Sequence, residues 1–418
     1  MSTDFREPEA RISPARLDAL RSTAIAAAER HGPELRAISH EIHAHPELAF
    51  AEHHAAELMA RTLESHGFTV TRGAYGVETA VEAVVGDGEF RVVLCAEYDA
   101  LPELGHACGH NVIAAIGLGS ALILAEVADE LGLQVVLLGT PAEEHGGGKC
   151  ALLRAGAFEG ATISSMVHGG AAESEVSAAR VSMQCVDRFD VTFLGRQAHA
   201  AAAPFEAINA GAAATIAHVA VGLLRQQLRD GIRLSVITTS AGTVTNIVPG
   251  RAELSVEVRS RDLAEMLSVK ERVLACMAGA ALATGCEWSQ RRAEPRYLNV
   301  VPDDTLAAAW DRNLAVVGRR IDPELDARSG STDMGNVSHV VPSLHPILTF
   351  AGSTAPPHTI EFASDAIGAG ADQAVIDGAL VQALMVIDVV ADPDQRADLL
   401  RRAAERPAGA TRIDQDLD

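Results

Sequence analysis

At 418 residues, the chain exceeds the size at which a single hydrophobic core keeps growing, so two domains are expected. Apolar residues make up 48% and charged residues 22%, which excludes a disordered polymer. The 34 Lys and Arg against 56 Asp and Glu give a formal charge of -22, which argues against nucleic acid or an anionic membrane surface as a partner.

The opening residues, MSTDFREPEARISPARLDALR, carry no apolar stretch of the signal-peptide kind, and nowhere do 18 apolar residues run together. A cytoplasmic protein is therefore expected. Six cysteines are too sparse for a disulfide framework, and most should be reduced core residues.

In chain order, helical spacing of Leu17, Leu20, Ala24, Ala27, Leu35, Ile38 and Ile42 predicts a helix over 14–45, closed by Pro46. A second helix is predicted over 52–66, stopped by Gly67. Strand-like runs follow at 79–85, 91–96, 133–139 and 161–168, with helices between them at 111–130 and 149–156. That alternation implies a largely parallel sheet covered on both faces. From about residue 185 the pattern becomes strand, Ala-rich helix (207–228), two strands (234–240 and 251–259), helix (262–284) and a strand near Glu287. Such a β-α-β-β-α-β run predicts an inserted ferredoxin-like domain. Helix, short strand and helix return over 303–392, and a polar tail from Arg406 should fray. The expected layout is one α/β catalytic domain in two parts (1–184 and 299–418) around an α+β lid (185–298).

The chemistry-bearing residues cluster just past the strand ends: EYDALPELGHACGHN after 91–96, TPAEEHGGG after 133–139, and HGG after 161–167. In open α/β sheets the ligand crevice lies at the carboxyl ends of the strands, so these segments should converge on one site. In His106-Ala-Cys108-Gly-His110, thiolate and imidazole suit a late divalent metal, and the glycine lets two side chains converge. Alone, that spacing equally fits a small buried thiol and two helix-capping histidines. Glu143 and Glu144 have no packing rationale beside Gly146, Gly147 and Gly148; one carboxylate could bind metal while its neighbour handles the proton of an attacking water. His168, at the end of an apolar strand, and His358, in PPHTIEF, could each be structural when taken singly.

The ordered set HAHPEL, EYDALPELGHACGHN, TPAEEHGGGK, VHGG, GRQAHAAAAP, GTVTNIVPG, GSTDMGNVSH and PPHTIEF, spanning His43 to His358, resembles the aminoacylase and glutamate-carboxypeptidase family of dinuclear metallohydrolases. The likeness is greatest to the branch of auxin-conjugate amidohydrolases, aminobenzoyl-glutamate hydrolase and β-alanyl-lysine dipeptidase. By position, the resemblance implies Cys108, His110, Glu144, His168 and His358 as ligands of two divalent ions, zinc with manganese or cobalt as alternatives. It implies Glu143 as general base, His199 as a lid histidine that reaches the partner subunit's site and steadies the oxyanion, and Asn246 as a substrate contact. A homodimer formed through the lid is implied as well. Many relatives carry a histidine ligand two residues before the aspartate of the Asp-Ala-Leu-Pro segment. Here that position is Glu97, and Asp99 is expected to orient a ligand rather than to be one.

The implied reaction is hydrolysis of the amide bond of a small N-acyl amino acid or dipeptide, with an aminobenzoyl-glutamate type of substrate as the alternative. A nucleophilic Cys108 would leave the glutamate pair and His358 idle. A zinc-storing or scaffold protein would explain the ligands but not the extra carboxylate. Arg259 and Arg261 could bind a substrate carboxylate or simply be solvated.

Overall fold

The computed structural model describes residues 12–325, 330–407 and 409–410, so most of the expected polar tail lies outside the described residues. In chain order the elements are α1 (Pro14–Ala44), α2 (His53–Ser65), β1 (Thr69–Arg72), β2 (Val81–Val85), β3 (Phe90–Ala96), α3 (His110–Ala125), α4 (Ala128–Leu131), β4 (Leu133–Gly139), α5 (Gly148–Ala155), β5 (Ile163–Ser165) and β6 (His168–Gly170). They continue with β7 (Cys185–Leu194), α6 (Ala210–Leu224), β8 (Arg233–Ser240), β9 (Arg251–Ser260), α7 (Leu263–Thr284), β10 (Glu287–Arg292), α8 (Asp304–Leu314), α9 (Met334–Ser338), β11 (Ser343–Leu344), β12 (Ile347–Thr349), α10 (Ile360–Asp365), α11 (Ala369–Ala391) and α12 (Pro393–Ala404).

Two compact units emerge. Among the described residues, the first comprises 12–182, 300–325, 336–407 and 409–410; the second comprises Met183–Asn299 with Gly330–Gly335. The first holds a six-stranded sheet in the order β1-β2-β4-β3-β5-β11. β3 pairs in parallel with both β4 and β5, and β11 with β5, whereas β1 and β2 form an antiparallel edge. β3 and β4 read as continuous apolar runs because they are buried on both faces.

Helix α3 is apolar all round and buried along nearly its whole length, as expected of a helix packed on every side. A Cβ at Gly117 would lie 3.1 Å from the Cys95 carbonyl on β3, and one at Gly119 would lie 2.6 Å from Leu35 of α1 and 2.7 Å from Ala379 of α11. These two glycines let α3 approach the sheet on one side and two helices on the other. α11 is long and apolar enough to cross a membrane, yet 89% of that stretch is buried inside the protein. It is a core helix packed on α1, α3 and α8.

The second unit is the β-α-β-β-α-β run itself, an antiparallel sheet ordered β10-β7-β9-β8. Alternate residues of β9, namely Ala252, Leu254, Val256 and Val258, join Ala213, Ala217 and Val221 of α6 and Val273 and Met277 of α7 in a separate core. Asn209 caps α6 by accepting from the Ala212 N–H at 3.1 Å, and Asp262 caps α7 by accepting from Glu265 at 2.7 Å. All six cysteines are free thiols.

Candidate metal centre

Because β3 and β4 run parallel, their carboxyl ends open at the same edge of the sheet. The chain leaves β3 through Glu97 and Asp99, both buried, and leaves β4 into the turn that carries Glu143 and Glu144. Gly109, with φ of 78°, adopts the left-handed conformation that turns the chain into α3. Cys108 and His110 therefore flank one glycine and point into the same space. Two non-glycine residues, Ala142 (φ 60°) and His358 (φ 66°), also sit in the left-handed region, a costly conformation held here by neighbours. The His358 N–H donates to Ala107 O at 2.7 Å. The Ala142 N–H donates to Glu52 Oε1 at 2.8 Å, and Glu52 Oε2 accepts from Thr79 Oγ1 at 2.8 Å.

Three overlapping donor sets result, each with all its ligand atoms within 4.8 Å of one another: Cys108, His110 and His168; Cys108, Glu144 and His358; and Glu97, His110 and Glu143. Cys108 Sγ lies 3.6 Å from His168 Nε2, and His358 Nε2 lies 3.3 Å from Glu144 Oε1. His110 Nε2 lies 3.7 Å from Glu97 Oε2, 3.7 Å from Glu143 Oε2 and 3.9 Å from Glu144 Oε1.

The His110 and His168 imidazoles are each oriented through their other nitrogen. His110 Nδ1 donates to Asp99 Oδ1 at 2.9 Å, and His168 Nδ1 donates to Gly169 O at 2.6 Å, so both Nε2 lone pairs face the cluster. Asp99 Oδ2 accepts the Glu144 N–H at 3.0 Å, fixing the turn and the ring together. Burial works against an ionised Asp99, yet the charge of His110 and its hydrogen bond hold the carboxyl below its usual range. Burial likewise opposes a charged His110, but Asp99 outweighs it and raises the ring well above its ordinary value. His168 is lowered by burial and then by repulsion from His110. Burial, followed by the neighbouring carboxylate of Glu144, pushes the Cys108 thiol up.

Glu97, Asp99, Glu143 and Glu144 share the space with Lys149, which is itself buried and paired with Glu97. Among the described residues, His110 Nε2 and Glu97 Oε2 are buried without a hydrogen-bond partner, and buried Glu144 Oε1 has only His358 Nε2 near it, at 3.3 Å. Orphaned buried acceptors are costly, and divalent cations would satisfy all three at once. The donor set of thiolate, imidazole and carboxylate therefore fits such ions.

All five expected ligands and Glu143 come together in the first unit. His168 corrects the strand reading, for the apolar run breaks: β5 ends at Ser165, and His168 opens β6, which pairs in parallel with β12 in a separate two-stranded sheet. His106 turns away and bonds the Ile42 carbonyl at 3.1 Å. Lys149 was missed as a contributor although it follows three glycines at the start of a helix. Buried His345, edge-on to His168 with ring centroids 5.7 Å apart, gave no sequence signal at all. In the second unit, His199 and Asn246 are exposed and adjoin each other through a bridge between the His199 and Ile247 segments. His199 Nδ1 accepts from the Ala201 and Ala202 N–H groups at 3.2 and 3.1 Å. Arg259 is held by both oxygens of Glu257, at 2.6 and 2.9 Å, while Arg261 is exposed.

The chain thus comprises a mixed-sheet unit that carries this donor cluster and a ferredoxin-like unit. Residues 186–284 match the model of the peptidase dimerisation domain of the M20 family. The Xaa-Arg dipeptidase of Mus musculus is 35% identical over 398 residues, covering 91% of each chain. A p-aminobenzoyl-glutamate hydrolase chain of Escherichia coli is 30% identical over 269 residues, 59% of this chain and 55% of its own. A Bacillus subtilis structure described as a dinuclear metal-binding peptidase of the M20 family shares the fold, with TM-score 0.64 and 21% identity over 86% of this chain and 99% of that one. The chain belongs to the M20 peptidase family, in its aminoacylase-like branch, and is a hydrolase of peptide or amide bonds.

Proposed function

We propose that the chain is a metal-dependent dipeptidase whose substrate is a dipeptide with a basic carboxyl-terminal residue. Cys108, His110, Glu144, His168 and His358 would hold two divalent ions, zinc by the softness of thiolate and imidazole, with manganese or cobalt as alternatives. Such ions supply Lewis-acid polarisation of the scissile carbonyl and lower the pKa of water towards neutrality. Glu143 takes the proton of the attacking water and delivers it to the departing amine nitrogen, without which the amine does not leave. Its placement supports this: both carboxylates approach His110 Nε2, at 3.7 Å from Glu143 Oε2 and 3.9 Å from Glu144 Oε1, but Glu144 also meets His358 at 3.3 Å. That division of two neighbouring carboxylates carries the reading. A metal-storage protein would have no use for it.

His199 is proposed to steady the charge on the carbonyl oxygen. With Nδ1 accepting backbone N–H groups, its proton sits on Nε2, ready to donate outward. Asn246 is proposed to contact substrate. We place the dimer contact on the second unit, where β8 is an edge strand and Ile216, Val219 and Leu223 of α6 leave apolar side chains exposed. Six free thiols support a reducing, cytoplasmic setting.

The mammalian relatives and the charge of -22 favour a cationic substrate. The test is a panel of dipeptides, N-acyl amino acids and p-aminobenzoyl-glutamate, incubated with purified protein and added zinc or manganese. Peptides ending in Arg or Lys should be cleaved fastest. Preference for p-aminobenzoyl-glutamate would instead favour the aryl-amide reading. Glu143→Gln should retain its metal and lose at least ~100-fold in turnover, the lower range for removing a general base. Undiminished turnover would contradict the assignment.

A further inference from the structure

A second group of donors lies outside the centre just described, on the helical side of the first unit. His31 and Glu34 stand three residues apart on α1, on one helix face, and His66 follows the last residue of α2. Glu34 Oε2 lies 3.0 Å from His66 Nε2 and 4.0 Å from His31 Nδ1. The two rings meet edge-on, with centroids 5.1 Å apart and planes at 77°. All three ligand atoms fall within 4.8 Å of one another. Around a tetrahedral zinc with bonds of about 2.0–2.1 Å, ligand atoms sit roughly 3.3 Å apart, so 3.0 and 4.0 Å need only small side-chain adjustments.

The far side of His31 strengthens the case. Its Nε2 lies 3.4 Å from Glu126 Oε1, at the end of α3, and Arg30 holds the same carboxylate. With the Nε2–H donating to that carboxylate, the Nδ1 lone pair faces Glu34 and His66, the arrangement that orients metal-binding histidines. The His31 side chain is 11% exposed, against 42% for Glu34 and 28% for His66, so the ring is fixed while the site stays open to solvent.

We propose that His31, Glu34 and His66 form a further binding site for a late divalent cation such as zinc, with Glu126 as the positioning carboxylate. The ion would tie α1 to the end of α2 and leave coordination positions for water. Two imidazoles and one carboxylate select zinc, copper or nickel over magnesium or calcium. Burial, only partly offset by the hydrogen bond to Glu126, keeps His31 below its ordinary pKa, in the neutral form that binds metal.

The test is zinc content by mass spectrometry after chelator stripping and reloading of untagged full-length protein, comparing wild type with Glu34→Gln and His66→Ala. Each variant should bind one equivalent fewer than wild type and hydrolyse peptides as wild type does. Cys108→Ser, which disrupts the other centre, should retain the equivalent that Glu34→Gln loses. With the other centre filled by zinc, one equivalent of copper added to wild type should show spin coupling to two imidazole nitrogens, coupling that His66→Ala loses. Equal zinc content in wild type and the two surface variants, or no two-nitrogen signal, would overturn the site without touching the hydrolase reading.

Discussion

Asp99 uses one carboxylate oxygen to orient the His110 ring and the other to hold the Glu144 backbone, at 2.9 and 3.0 Å. An amide at this position supplies only one acceptor for two donors. Asp99→Asn should therefore weaken metal affinity by roughly 10–100-fold, the usual consequence of losing a carboxylate behind a ligating histidine. Competition with a chromophoric chelator measures this, and unchanged affinity would count against the orienting role. The residues that announced themselves in the sequence did so through local spacing: Cys108 and His110 around one glycine, and the Glu143–Glu144 pair at a strand end. Glu97 with Lys149 could not be seen, because the two stand 52 positions apart and only the fold makes them partners. Glu52 was equally silent, since it acts by accepting the Ala142 N–H from 90 positions away.

Among the elements, the turn from β4 to α5 is tightly specified. A Cβ at Gly148 would lie 1.8 Å from the Pro141 carbonyl oxygen, a backbone atom that cannot yield without moving Glu143 and Glu144. Gly148→Ala should keep the secondary structure and lower kcat/KM by about 100-fold, the scale expected when reacting groups shift by about 1 Å. Circular dichroism with steady-state kinetics would show it; near-normal rates would mean the turn tolerates displacement. Long periodic elements were readable because burial imposes their period: α1, α7, β3, β4 and β9 each bury a face or the whole run. Thr69–Arg72 was missed, being four mostly exposed residues whose strand state depends on pairing with β2. The run ATISSMVH read as one strand because its break at Met166 and Val167 comes from a change of partner, β11 for the part before it and β12 for the part after it. Such long-range pairing leaves no local mark.

For the molecule as a whole, alkaline stability rests partly on buried phenols. Tyr98 is fully buried and donates to the Thr79 carbonyl at 2.6 Å; burial, then the carboxylates of Glu52 and Asp99, raise it well above 10.0. Tyr75, half-buried and bonded to Glu82, is pushed up to about 12. A raised pKa stabilises the fold fully below the unfolded value near 10 and loses that contribution as pH rises through the folded value. Phenolate absorbance for Tyr98 should therefore appear only together with unfolding. In a Tyr75→Phe background, a phenolate step that precedes any loss of circular dichroism would contradict its burial. The account depends above all on cations sitting between segments that the chain keeps far apart. Anomalous diffraction from crystals grown with zinc, collected on either side of the zinc edge, tests that directly. Two peaks within bonding reach of Cys108, His110, Glu144, His168 and His358 are expected, and density at that cluster with no anomalous signal would contradict it.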